Sequence, residues 1–185
     1  MAIDFPASPT VNDTFTANGV VYTWDGTKWT AVTPAGDKIV EGNTNAEVID
    51  TGSDGRFIVT TEGTERLRID QNGVVTAKNG AVAEIGTLTD AATITPNLAT
   101  KCNFTVTLGG NRTLANPSNQ TAGQSGSIFI VQDGTGSRTL AYGTDYEFAG
   151  GTAPTLSTTA NAVDRIDYIV RASGNIHCVF TANYS

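Results

Sequence analysis

The chain is poor in the residue types that catalysis usually needs. It has one histidine, His177, two cysteines, Cys102 and Cys178, and one methionine. A lone histidine cannot build a multi-histidine metal site. A Ser-His-Asp or Cys-His mechanism would have to use His177 itself. His177 and Cys178 are neighbours in an alternating run, so in a strand their side chains leave on opposite faces and cannot act on each other. His177 therefore reads as a surface strand residue. Two cysteines are too few for a disulfide framework and too far apart for a zinc pattern. Both fall at or inside predicted strands and read as buried small hydrophobes. No metal and no other cofactor is expected.

Charge is scarce too, at 16% of residues, with a net charge of −7. The 11 basic residues are scattered singly, so no cationic stripe exists to neutralise phosphates and nucleic acid is not an expected partner. No run approaches the roughly eighteen apolar residues of a membrane span, so insertion into a bilayer is not expected. The opening MAIDFPASP has no basic n-region and no apolar core of a leader. Synthesis and assembly in a cytoplasm are the expectation.

Small polar residues fill the gap, with 30 Thr and 20 Gly. Threonine is β-branched and tolerates a half-exposed strand, which favours sheets over helices. The segment from Ala92 bears this out as a pattern. Phe104, Val106 and Leu108 alternate with Thr105 and Thr107, and Ile166, Tyr168 and Val170 alternate with charged neighbours. Ile128 to Val131 is a continuous apolar run, as in a strand covered on both faces. Gly109-Gly110-Asn111, Asp133-Gly134-Thr135-Gly136 and Ser173-Gly174-Asn175 supply turns. Ser137 to Tyr142 is expected to return antiparallel after the Asp133 turn. Short strands at this spacing predict an antiparallel β-sandwich or jelly-roll-like module over 92–185.

Residues 1–34 form a separate small unit. Asp25-Gly26 is a hairpin signal between apolar-aromatic runs, flanked by both tryptophans of the chain, Trp24 and Trp29. An isolated hairpin is marginal in water, so it needs a partner surface. Residues 35–91 read as a β meander or stalk ending in a linker at 77–91. Arg56 to Thr61 and Thr64 to Ile69 are its clearest strands; Val74 to Thr76 follows the Asp70 turn. Glu41 to Thr51 is ambiguous, and a helical turn over Ala81 to Ile85 is a candidate. Three short strands make too little core alone, so association of three chains around a shared core is the physical solution. The fold class is therefore all-β and homotrimeric.

Several phrases are familiar as wording. LGGNRTLANP, GTAPTLSTTANAVDRIDYIVR and EGTERLRID resemble modules of tail-fiber and other virion structural proteins of tailed bacteriophages, especially cyanophages. The N-terminal F-P-x-x-P start and W-D-G-x-x-W ending resemble a short module common in phage fiber and tail proteins. The resemblance implies a virion component without enzymatic activity. A short trimeric tail fiber is the first reading, with a C-terminal head that touches a host-cell glycan or protein. A capsid decoration, cement or head-fiber protein is the alternative, and a baseplate or tail adapter a weaker one. The implied partners are other copies of the chain and tail, baseplate or capsid proteins. Phe5, Tyr22, Trp24 and Trp29 are the candidate virion attachment residues. Alternatively they form a mini-core.

Tyr142, Asp145, Tyr146 and Phe148 cluster in AYGTDYEFAGGTAP. Aromatics beside carboxylates can stack on sugar rings and bind hydroxyls, so these four are the candidate receptor contacts. The competing reading packs the rings under the loop. Asp145, Glu147, Asp164 and Asp167 would be the candidate acids for glycoside cleavage. Enzymes of that kind resemble long β-helices, and the chain shows neither their length nor a rung period. Gly123-Gln124-Ser125-Gly126 lacks the spacing of a nucleophile elbow, and its glycines read as turns before a strand.

Overall fold

The computed structural model describes residues 3–32, 37–50 and 52–184. The chain divides into two compact units, Met1–Ala81 and Val82–Ser185. The expected boundary at residues 34 and 35 lies outside the described residues. The fold is all-β, as expected; the one helical piece among the described residues is a 3-10 turn at Ala149–Gly151.

The first unit holds two antiparallel sheets. Strands β1 (Thr14–Ala17), β2 (Val20–Trp24) and β3 (Trp29–Val32) make the first. Its β2–β3 turn is locked by Asp25, whose Oδ1 accepts the backbone N–H groups of Thr27 and Lys28, both at 2.9 Å. The second sheet is a five-stranded meander of β4 (Asp37–Glu41), β5 (Thr44–Ile49), β6 (Arg56–Thr61), β7 (Thr64–Ile69) and β8 (Val75–Ala77). β4 and β5 occupy the stretch whose sequence was ambiguous. Their alternation is broken by small and polar residues, and pairing with β6 organises them. A bulge between Val59 and Thr60 bends β6 against β7.

The second unit opens with β9 (Ile85–Thr87) and β10 (Thr93–Ile94). No helical turn forms over Ala81 to Ile85; Ile85 instead begins β9, which pairs with Asn103 to Thr105. β11 (Asn103–Leu108), β12 (Arg112–Leu114), β13 (Ser125–Gln132) and β14 (Leu140–Tyr142) follow. β9, β11 and β13 lie parallel in one sheet, and β10, β12 and β14 lie parallel in another. Each pair is one turn of a short parallel solenoid, three turns in all. β15 (Tyr146–Phe148), β16 (Val163–Ala172) and β17 (Asn175–Tyr184) complete the larger sheet, in the order β15-β17-β16-β13-β11-β9. The long β16–β17 hairpin is antiparallel and closes the solenoid on the β13 side.

The two-layer arrangement agrees with a sandwich, but its pairing is mixed rather than antiparallel. The Gly109–Asn111 turn sends the chain across to the other sheet instead of back alongside β11. Likewise β14 pairs parallel with β12 and does not return along β13. The cause is local: the buried Gln132 side chain accepts from Arg138 N at 2.8 Å and donates to Arg138 O at 2.9 Å, holding the strand exit away from β13. The rung period was invisible because the rungs differ in length. Gly86 stands beside Phe104, which stands beside Ile128; Thr93 stands beside Thr113, which stands beside Ala141.

Between the two sheets lies a core of Phe104, Val106, Leu108, Ile128, Ile130 and Ile166, met from the smaller sheet by Ile94 and Leu114. Among the described residues, every buried one falls between Ile94 and Cys178. The first unit has none. Apolar burial contributes roughly 25 cal/mol per Å², so the second unit has a core of its own and the first is left with half-exposed sheets.

Candidate functional site

The N-terminal aromatics form one cluster. Phe5 stacks on Trp29 with centroids 5.5 Å apart and an interplanar angle of 11°. Tyr22 meets Phe5 edge-on at 5.0 Å, and Trp24 meets Trp29 at 5.7 Å, across directly paired positions of β2 and β3. All four expected attachment residues therefore sit together, each half-buried. Phe15 is a fifth member, 5.6 Å from Phe5. It was missed in the sequence, although its place between Thr14 and Thr16 is a period-2 signal for one side of β1. In a unit with no buried residue among the described ones, this cluster is the nearest thing to a core. Turn chemistry supports it: backbone donation from Lys28 and Thr27 holds the Asp25 carboxyl at about 2.

The four candidate contact residues of the second unit are separated by burial. Tyr146 is only 7% exposed, and its hydroxyl donates to Ala115 O at 3.2 Å. Burial raises its phenol far above the ordinary range. A ligand reaching this segment from outside does not meet that ring. Tyr142 is half-buried, edge-on to Phe148 at 5.0 Å and to Tyr146 at 6.3 Å, and its hydroxyl is buried with no hydrogen-bond partner among the described residues. Asp145 accepts from Gln120 Nε2 at 2.6 Å. The rings thus anchor β15 to the core beneath it.

What remains accessible is the rim of β15 and β17. One hollow of about 260 Å³ is lined by Glu147, Phe148, Ala149, His177 and Cys178. A second, of about 290 Å³, shares Phe148, Ala149 and Cys178 and continues along Thr152, Pro154 and Phe180. The first end is polar. His177 Nε2 lies 3.3 Å from Glu147 Oε2, and Asn175 Nδ2 donates to Glu147 Oε1. The other end is apolar. His177 is exposed and Cys178 is buried, as alternation along β17 requires. Burial pushes the Cys178 thiol up to about 12, so it is not a thiolate near neutral pH. Cys102 departs from expectation. It is exposed, because it precedes β11 and its place is set by its carbonyl, which accepts the Tyr168 hydroxyl at 2.8 Å.

The four acids weighed for glycoside cleavage do not form a free pair. Asp164 is buried, accepting Ser157 N and Oγ, both at 2.7 Å, and Asn183 N at 2.8 Å. Asp167 leaves the other face of β16, where it accepts from Ser127 and Arg165. Asp145 and Glu147 have the partners given above.

Residues 94–174 match a protein family described as "Putative phage tail fibre C-terminal domain". The matched segment is less than half of the chain, and it coincides with the part that has a buried core. No curated protein and no solved structure matches the chain. Over that segment the module is similar to phage tail-fibre structural proteins, a class of virion component. Within that class, the module resembles the C-terminal domain of the fibre, in agreement with the likeness read from LGGNRTLANP and GTAPTLSTTANAVDRIDYIVR.

Proposed function

We propose that the chain is a short, non-catalytic tail fiber that works as a homotrimer. Residues 1–34 attach it to other virion proteins through the surface around Phe5, Tyr22, Trp24 and Trp29, the meander of β4–β8 serves as stalk, and 82–185 is the head. The observation that carries this reading is the coincidence of the tail-fibre match at 94–174 with the buried core of the second unit. A self-supporting module beside coreless sheets is the arrangement a terminal head and an assembled stalk require. Host contact falls on the β15–β17 rim, where Phe148 lines a hollow together with Glu147 and His177. Its mix of carboxylate, imidazole and ring suits a surface glycan or protein.

Gold-labelled antibody against residues 82–185, viewed on intact virions by electron microscopy, tests the location. Label at the tail supports the fiber reading; label over the capsid replaces it with a decoration or head-fiber protein. Host contact is tested by saturable adsorption of the purified protein to host cells. Glu147→Ala, at an exposed rim position, is expected to weaken it at least tenfold. Tyr146→Ala is a poor probe because it removes a core side chain.

A further inference from the structure

The sequence holds three Asn-Gly dipeptides, Asn18-Gly19, Asn72-Gly73 and Asn79-Gly80, and all of these residues are exposed. An asparagine followed by glycine can react with itself. The glycine backbone nitrogen gives up its proton to hydroxide and attacks the side-chain amide carbon, with no Cβ to obstruct it. The bond from that carbon to the side-chain nitrogen breaks, and ammonia leaves with a proton taken from water, closing a succinimide ring. Water then opens the ring at either carbonyl, giving aspartate or isoaspartate. The net change is amide plus water to carboxylic acid plus ammonia, with no oxidant or reductant. Two features of a fold govern this step. One is a free peptide nitrogen; the other is a donor for the negative charge that gathers on the side-chain oxygen during attack.

The folded chain separates the three dipeptides. Asn18 and Gly19 form the two-residue link between β1 and β2, at φ 51° and 78°, closed by the Ala17–Val20 pair. Ring closure there has to undo the turn. Gly73 N donates to Asp70 O at 2.9 Å, and the Asp70 carboxylate accepts Asn72 N and Val74 N on either side. That nitrogen is engaged. Gly80 N has no hydrogen bond among the described residues, and a Cβ at Gly80 would meet nothing within 4 Å. The Asn79 amide, oriented to satisfy both of its neighbours, donates to Lys78 O at 3.0 Å and accepts from Arg66 Nη1 at 2.8 Å. Arg66 is itself held by donation from Nε to Thr61 Oγ1 at 3.0 Å. A guanidinium keeps its protons, so a fixed positive charge sits on the oxygen that becomes negative. Asn79-Gly80 thus combines both features, and the other two dipeptides have neither.

We propose that Asn79 is a self-modification site, activated by Arg66, that converts to aspartate or isoaspartate in the folded protein. The new carboxylate forms beside Arg66. Isoaspartate also routes the backbone through the side chain, adding a methylene just ahead of the unit boundary after Ala81. The test is to incubate the purified chain at mildly alkaline pH and follow each site by tryptic peptide mapping with mass spectrometry. Trypsin places the three sites on separate peptides, 1–28, 69–78 and 79–101. In the folded chain Asn79 is expected to convert roughly ten times faster than Asn18 or Asn72. In concentrated urea the three rates should converge, because no fold remains to distinguish them. Arg66→Gln is expected to slow Asn79 several-fold and leave Asn72 unchanged, a selectivity that general loosening of the sheet would not give. Equal rates in the folded chain, or the same ranking in urea, overturn the site. An Asn79 rate untouched by Arg66→Gln overturns the part assigned to Arg66.

Discussion

Single residues decide more here than their chemistry suggests. Gly126 lies inside β13, not in a turn before it, and a Cβ there would fall on the carbonyl of Cys102 and within 2.9 Å of the Tyr168 hydroxyl. Those two groups are hydrogen-bonded to each other, so neither can retreat without breaking that bond. Gly126→Ala is therefore expected to cost about 3 kcal/mol or more through overpacking, read as an earlier urea midpoint. An unchanged midpoint would mean that the strands separate freely there. Gly143 is similar, its missing Cβ facing Asn116. Neither requirement was legible in the sequence, where a glycine near a strand reads first as a turn. By contrast the opposite fates of His177 and Cys178 were legible, because strand alternation is a local property.

At the scale of elements, one device recurs. Asp25, Asp70 and Asp133 each fold their own carboxylate back onto the following backbone N–H groups. Asp133 is the most elaborate. Arg138 donates to it from Nε and Nη2, and with the N–H groups of Gly136 and Thr135 this holds the carboxyl at about 2. A carboxylate with a depressed folded-state value stabilises the fold above its unfolded value, near 4, and loses that contribution as pH falls through about 2. Asp133→Asn should thus lower Tm at pH 7. The gap to wild type should close between about pH 4 and pH 2 in thermal melts followed by circular dichroism. A gap independent of pH would show that the ionised carboxylate is not what holds the turn. The aromatic cluster makes a second prediction at this scale. Trp29→Ala removes the partner of Phe5, Phe15 and Trp24 together. Limited proteolysis should then cut within residues 3–32 at least tenfold faster, while 82–185 stays resistant. Equal cutting rates would remove the cluster from the unit's stability.

For the whole molecule, the division between a cored unit and a coreless one is the main consequence of the sequence. The apolar residues of 37–77 are arranged correctly for a sheet, yet none of the described ones is buried, and the proposed trimer is where such burial would come from. If the proposed trimer is held by apolar contact, its association should be insensitive to salt, since about 1 M NaCl screens charges without weakening hydrophobic contact. Sedimentation at low and high salt should give the same mass. Dissociation in high salt would point to a seam of ion pairs instead. The sequence by itself determined the all-β class, most turns, the alternation of the strands, the aromatic cluster and the tail-fibre likeness. These rest on short-range periodicity and turn chemistry, which act within a few residues. Only the tertiary structure decided which strands pair. The parallel solenoid depends on partners some twenty residues apart, and its rungs vary in length, so no repeat marks them. It also decided that Tyr146 turns inward and that Cys102 stays out, because burial belongs to the space between two sheets and not to any run of residues.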